Sequence, residues 1–220
     1  MNRGLEVRRL GVIAYGEALE LQRQLVEERR ADRVPDTLLL LEHPPVITLG
    51  VKTRGERRHV LASPESLDEA GVAVYETGRG GDVTYHGPGQ LVGYPILDLR
   101  PDRCDVHRYV RDIEEVLIQT TRSFGVEAGR STGLTGVWVG RSKLAAIGVR
   151  ISRWITSHGF AYNVAPNLEH FSWIVPCGLE DRGVTSLTAL TGSEIRMSQV
   201  EDRVIAAVAA VFERQILVTA

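Results

Sequence analysis

The sequence predicts an α+β fold: a single domain over residues 1–220, with a mixed, mostly antiparallel sheet flanked by helices. Three observations predict it. Helical and strand patterns interleave without strict βαβ alternation, which argues against a doubly wound parallel sheet. Residues 143–151 and 154–164 read as neighbouring strands joined by a tight Ser152-Arg153 turn, hence an antiparallel hairpin. The 220 residues, 43% of them hydrophobic, suffice for one sizeable core, and no repeat, low-complexity tract or linker divides them.

Each element has its own signal. Ala18, Leu21, Leu25 and Val26 fall at helical spacing and predict a helix over Tyr15–Arg30. The apolar run 37–41 predicts a buried strand, stopped by Glu42-His43-Pro44-Pro45, and a second strand follows at Val46–Leu49. Ser63-Pro64-Glu65 joins a cap, a proline at the first helical position and an early acid, so a short helix starts there and ends at Gly71. Residues 72–76 continue as a strand. Residues 78–93 hold six glycines, interrupted by the alternating Asp82-Val83-Thr84-Tyr85, and a strand runs over 91–99. Asp105 caps a long helix in which Val106, Tyr109, Val110, Ile113, Val116, Leu117 and Thr120 share one face. After the strands at 136–139, 143–151 and 154–164, the capping-box pattern Ser198-Gln199-Val200-Glu201 opens a final helix to about residue 215.

Charge and composition exclude several classes. Lys+Arg 26 against Asp+Glu 28 leaves a formal charge of −2, with no global signature of nucleic-acid binding. No apolar stretch reaches the roughly 18–20 residues of a membrane helix. The basic start has no apolar segment of a secretory signal, and two cysteines make no disulfide framework. The expectation is a cytoplasmic protein without nucleic-acid or membrane partners. Cys104 and His107 have a ligand-like spacing, but no second pair completes a metal site, so no metal is expected. Only two of the basic residues are lysines, Lys52 and Lys143. Arginine keeps its proton in proteins whereas a desolvated lysine can lose it, which makes a retained lysine informative.

Three features can carry chemistry. The segment from Thr77 to Gln90 is neither a Walker loop nor a dinucleotide fingerprint. Its glycines suit either a pair of hairpin turns or close approach to a ligand. Arg79 and His86, which can donate to an anion or carbonyl, favour a binding loop. Alternation places Lys143 on a face with Ala145, Ile147, Val149 and Ile151, and apolar surroundings disfavour an ammonium, fitting the side chain for a base role. The plainer reading is a lysine at a strand end that snorkels to water. Cys177, between Pro176 and Gly178, sits at a tight turn; it is either a buried inert thiol or a nucleophile activated by Lys143, His86 or His158. Gly159 and Ala161, beside Ala145, Ala146 and Gly148 on the hairpin partner, can open a slot for an apolar chain or simply permit close packing.

Together and in this order, RGGDVTYHGPGQLVGYPI at 79–96, GVWVG-RSKLAAIGVRI at 136–151, SHGFAYNV at 157–164 and IVPCGL with GVTSL within 174–187 resemble the octanoyltransferases of lipoate biosynthesis, in the lipoate/biotin protein-ligase superfamily. The resemblance spans most of the chain. It implies that Lys143 and Cys177 form a catalytic dyad. It also implies that Arg79, Gly80, Gly81, Asp82, Val83, Thr84, Tyr85 and His86, with Ala145, Ala146, Ile147, His158, Gly159 and Phe160, line the acyl-chain pocket. The implied donor is octanoyl-acyl carrier protein. The implied acceptors are lysines of the lipoyl domains of 2-oxoacid dehydrogenase complexes and of the glycine cleavage H protein. No cofactor is implied, and a monomer is expected. Lys52, Arg54, Arg57 and Arg58 crowd into seven residues and can form a basic patch for an acidic carrier protein. Two other readings are an ATP-dependent lipoate or biotin ligase of the same superfamily and a catalytically silent acyl-binding module.

Overall fold

The computed structural model describes residues 3–53, 59–175 and 182–217. In chain order these form β1 (Arg3–Val12), α1 (Tyr15–Arg30), β2 (Asp36–Glu42), β3 (Val46–Leu49), α2 (Pro64–Glu69), β4 (Ala73–Glu76), β5 (Val83–His86) and β6 (Gln90–Ile96). There follow α3 (Val106–Arg122), β7 (Gly129–Ser131), β8 (Leu134–Val139), β9 (Ser142–Ser152), β10 (Ile155–Asn163), β11 (Gly183–Val184), α4 (Leu187–Thr191), α5 (Met197–Phe212) and β12 (Arg214–Ile216). Among the described residues nine strands make one sheet in the order β12-β1-β2-β6-β10-β9-β8-β7, with β11 pairing β9; β4-β3-β5 make a smaller one. The large sheet is mixed: β1 is parallel to both β12 and β2, β11 is parallel to β9, and the pairings from β2 through β7 are antiparallel. This is the expected α+β class.

The apolar run of β2 explains the layering. Successive side chains of a strand face opposite ways. Leu38 and Leu40 accordingly pack with α3 and α5, among Tyr109, Ile113, Leu117, Val204 and Phe212, while Leu39 and Leu41 pack against Ala18 and Leu25 of α1. A central strand covered by helices on both sides must be apolar at every position, hence four leucines in a row. A third cluster, with Ile47, Val83, Tyr85 and Phe171, sits under the small sheet.

Local chemistry sets several boundaries. Asp105 accepts from the Arg108 amide and starts α3, and Ser63 accepts from the Ser66 amide and starts α2. The start of α5 departs from expectation. Gln199 reaches back to the Arg196 amide, so Arg196 is the cap and Ser198 lies within the first turn. The β9–β10 hairpin turns one residue later than expected. Ser152 pairs with Ile155, and Arg153 and Trp154 carry φ of 52° and 67°. Two successive positive φ values match the twist of the flanking strands.

Candidate functional site

The two sheets enclose a cavity of about 490 Å³. Its walls come from the glycine-rich loop before β5, from β6, β9 and β10 of the large sheet, from Tyr15 of α1, and from Val106 and Val110 of α3. The lining is mainly apolar or small: Gly80, Gly81, Ala146, Ile147, Gly148, Gly159, Phe160 and Ala161, with Tyr94 and His158. The volume falls within the roughly 300–1,000 Å³ typical of small-molecule sites.

Backbone irregularities shape this space. Gly93 pairs with Phe160, and a Cβ on Gly93 would overlap the Phe160 ring, so only glycine lets that ring lie flat over β6. At His158 the backbone takes φ 55°. There β10 keeps its pairing with β9 but parts from β6, and the His158 amide donates instead to Gln22 Oε1 of α1 (2.8 Å). A non-glycine residue in the left-handed region beside a cavity is typical of a functional site.

Lys143 is 7% exposed and lines the cavity. The expected alternation does not hold around it. The β8–β9 register shifts, with Val137 opposite Ala145 but Trp138 opposite Lys143, so β9 carries an extra residue at Leu144. This bulge re-aims the strand. Lys143 shares the cavity with Ala146, Ile147, Gly148 and Val149, whereas Leu144 and Ala145 are wholly buried in the core. Lys143 Nζ lies 4.9 Å from the centre of the Trp138 ring, and the Arg182 guanidinium lies 5.5 Å from the same ring. Both cations thus face the same indole ring, whose π face attracts positive charge.

Beneath the loop runs a buried chain of polar groups. Arg79 Nε and Nη2 donate to Thr48 Oγ1 (3.2 and 2.9 Å), and Nη2 also donates to the Thr48 carbonyl. Thr48 Oγ1 lies 3.3 Å from His86 Nε2, and His86 Nδ1 lies 2.8 Å from Gln90 Oε1. Gln90 Nε2 donates to Asn163 Oδ1 (2.9 Å), and Asn163 Nδ2 donates to the Thr185 carbonyl (3.0 Å). Burial, with His43 and Arg79 nearby, pushes His86 down to about 3; burial and Arg79, Arg150 and Arg23 push His158 down to about 4. Burial also lowers His43, whose Nδ1 meets the Ile13 carbonyl and whose Nε2 meets the Tyr94 hydroxyl. The three imidazoles near the cavity therefore add no positive charge to its lining at pH 7.

Of the residues the sequence singles out, Lys143, Arg79, Gly80, Gly81, Asp82, Val83, Thr84, His86, Ala146, Ile147, His158, Gly159 and Phe160 all line the cavity. Tyr85 and Ala145 do not. Tyr85 packs in the third core cluster with its hydroxyl on His170 Nδ1, and Ala145 is buried in the first cluster behind the wall. The expectation that His86 offers a donor to ligand is corrected, because both of its ring nitrogens are engaged with Thr48 and Gln90. Asp82 spans two partners, accepting from the Val83 amide and pairing with His59 Nδ1 (2.7 Å). Cys177 lies outside the described residues, as do Arg54, Arg57 and Arg58 of the basic patch; Lys52 lines the cavity mouth. Thr48, Gln90, Asn163 and Trp138 escape sequence reasoning, since lone polar or aromatic residues within strands have no periodic signal.

A buried lysine beside an apolar, small-residue cavity, on a mixed sheet with helices on both faces, defines a small-molecule-handling α+β domain. Residues 14–209 match the family model for the lipoyl protein ligase A/B catalytic domain. The chain is 55% identical over 197 residues to an octanoyltransferase of Caldicellulosiruptor bescii, covering 89% of this chain and 86% of that protein. It is 53% identical to one of Solibacter usitatus, covering 96% and 94%. Among solved structures, lipoate-protein ligase A bound with ATP superposes with a TM-score of 0.73 at 16% identity, covering 99% of this chain and 90% of that one. The chain belongs to the lipoyl protein ligase A/B catalytic-domain family.

Proposed function

We propose that this chain is an acyltransferase of protein lipoylation, moving an octanoyl group from acyl carrier protein to a lysine of a lipoyl domain through a thioester on Cys177. The observation that carries the reading is Lys143, a nearly buried amine at the wall of a cavity fit for an acyl chain. Beside it, more than half of the residues are identical to those of octanoyltransferases over most of the chain. The segment that bears Cys177 resumes on β11, whose Val184 pairs with Lys143 itself.

The chemistry follows from these groups. Lys143 Nζ takes the proton of the Cys177 thiol, and the thiolate attacks the carbonyl carbon of the octanoyl thioester. The new carbon–sulfur bond forms as the bond to the carrier's thiol breaks, and the Lys143 ammonium protonates the departing sulfur. The carrier leaves. Lys143 then takes a proton from the acceptor lysine's ammonium, the free amine attacks the octanoyl-cysteine, and Cys177 departs as the amide forms. Exchange between thioesters is nearly balanced in free energy and thioester-to-amide transfer is downhill, so the sequence of steps calls for no ATP. The octanoyl chain supports itself in the cavity: burying its seven carbons beyond the carbonyl contributes on the order of 5 kcal/mol at about 0.8 kcal/mol each.

The donor, the acceptors, the cytoplasmic setting and the reading of residues 1–220 as one catalytic domain belong to the same proposal. Among the described residues no helix is long and apolar enough to cross a membrane. The test is a transfer assay with octanoyl-carrier protein and a lipoyl domain, without nucleotide. Octanoylation of the lipoyl lysine is expected. Octanoylation only from free octanoate with ATP, releasing pyrophosphate, would instead make the chain a ligase.

A further inference from the structure

The polar chain in the cavity wall, to which Arg79, His86, Gln90 and Asn163 belong, has one consistent direction. A guanidinium can only donate, so Thr48 Oγ1 accepts from Arg79 and turns its own hydrogen to His86 Nε2. That leaves Nδ1 as the protonated nitrogen of the neutral ring, donating to Gln90 Oε1. The Gln90 amide nitrogen must then face Asn163 Oδ1, and the Asn163 amide nitrogen must face the Thr185 carbonyl. All four intermediate side chains are at least nine-tenths buried. The charge on Arg79 at one end and a main-chain carbonyl at the other thus fix two amide orientations and one tautomer.

Asn163 also stands at a junction. The last β10–β9 pair is Tyr162 with Ala145; from there β9 exchanges β10 for β11, which pairs at Ser142 and Lys143. A two-residue strand has few ladder bonds of its own. Its hold on β9 is extended by the Thr185 amide, which donates to the Lys143 carbonyl, and the opposite face of that same residue, its carbonyl, is held by Asn163.

We propose that Asn163, oriented by Gln90, is a positioning residue of the transfer reaction: it fixes β11 on the strand of Lys143 and so sets where the chain returning from Cys177 meets that lysine. The inference rests on the lysine–cysteine reading above. Asn163→Asp keeps size and acceptor but replaces the donor that faces Thr185, and Gln90→Glu removes the donor that orients Asn163.

The test uses the purified full chain and its internal control, the exposed Cys104. Iodoacetamide is added at pH 7, and alkylation of Cys177 relative to Cys104 is followed by peptide mass, alongside kcat and KM for octanoyl-carrier protein. The wild-type ratio should lie well above one. In either variant it should fall about tenfold, the change that one pH unit makes to a thiolate fraction. The kcat should fall with it, by more than KM rises, since both side chains also line the cavity, and the double variant should be no worse than the worse single one, because both act through one chain. Folded variants that keep the wild-type ratio and kcat would overturn the inference while leaving the lysine–cysteine reading intact. A wild-type ratio near one would overturn that reading and the inference together. If Asn163→Asp does not fold, Gln90→Glu, with Asn163 in place, decides.

Discussion

Acidification from pH 7 to pH 5.5 should destabilise the folded chain through histidines that it buries uncharged. In the unfolded chain a histidine titrates near 6.5. In the folded protein His86 is held at about 3 and His158 at about 4, burial being the main cause in both. Both folded values lie below the unfolded one, so between them the unfolded state binds more protons and stability falls as pH falls. Over this interval each histidine gains roughly 0.9 of a logarithmic unit of protonation in the unfolded state, or about 1 kcal/mol. The two together cost about 2 kcal/mol, and His43, also lowered by burial, acts in the same direction. The interval stays above the range in which ordinary carboxylates titrate. Against a total stability on the order of 10 kcal/mol, the loss should be plain in urea unfolding at the two pH values. Activity per folded molecule should not follow these histidines, which stay neutral in the native state throughout. A stability that is flat or rises on acidification, or native-state NMR titrations of His86 and His158 centred near 6.5, would show that these rings are not held uncharged by burial.

Two further predictions concern the cavity. Donors shortened from octanoyl should lose binding by about 0.8 kcal/mol per methylene, roughly fourfold each, seen as a graded rise in KM with butanoyl weakest. Equal KM values from butanoyl to octanoyl would show that the cavity does not hold the chain. Gly93→Ala should force the Phe160 ring from its seat over β6. The expected cost is about 1–3 kcal/mol in thermal unfolding, with the donor preference moving to shorter chains because Phe160 is part of the cavity wall.

The elements legible in the sequence are those whose burial is one-sided or complete over several residues. The helix over Tyr15–Arg30, the strand Val46–Leu49 and the start of α3 at Asp105 follow from apolar spacing and caps, which are local. β1 is not legible, because Leu5 alone among its residues is buried while Arg3, Glu6, Arg8 and Arg9 occupy it and are held by ion pairs. β7 and β12 are three residues each, too short for a period to register. At the site, the period of two correctly makes β9 a strand and sets Ile147 and Val149 on the cavity with Lys143, but it also sets Ala145 there, which is buried in the core beside a bulge that is set by the partner strand and leaves no mark in the alternation. Tyr85 and Ala145, pocket residues only as the resemblance implies, turn to the core: Tyr85 because Thr84 and His86 on either side of it face the cavity, Ala145 beside the bulge at Leu144. The chain from Thr48 to Asn163 joins four strands, and only tertiary structure brings polar residues so far apart in sequence into one file.

The thioester on Cys177 is tested most plainly by the mass of the intact protein after brief exposure to octanoyl-carrier protein with no acceptor present. One added octanoyl group is expected on the wild-type chain, released by addition of a lipoyl domain. No adduct is expected on Cys177→Ala, and on Lys143→Arg, which keeps the positive charge but holds its proton, an adduct should form far more slowly. An octanoyl group that persists in Cys177→Ala, or full-speed acylation of Lys143→Arg, would contradict the lysine–cysteine reading.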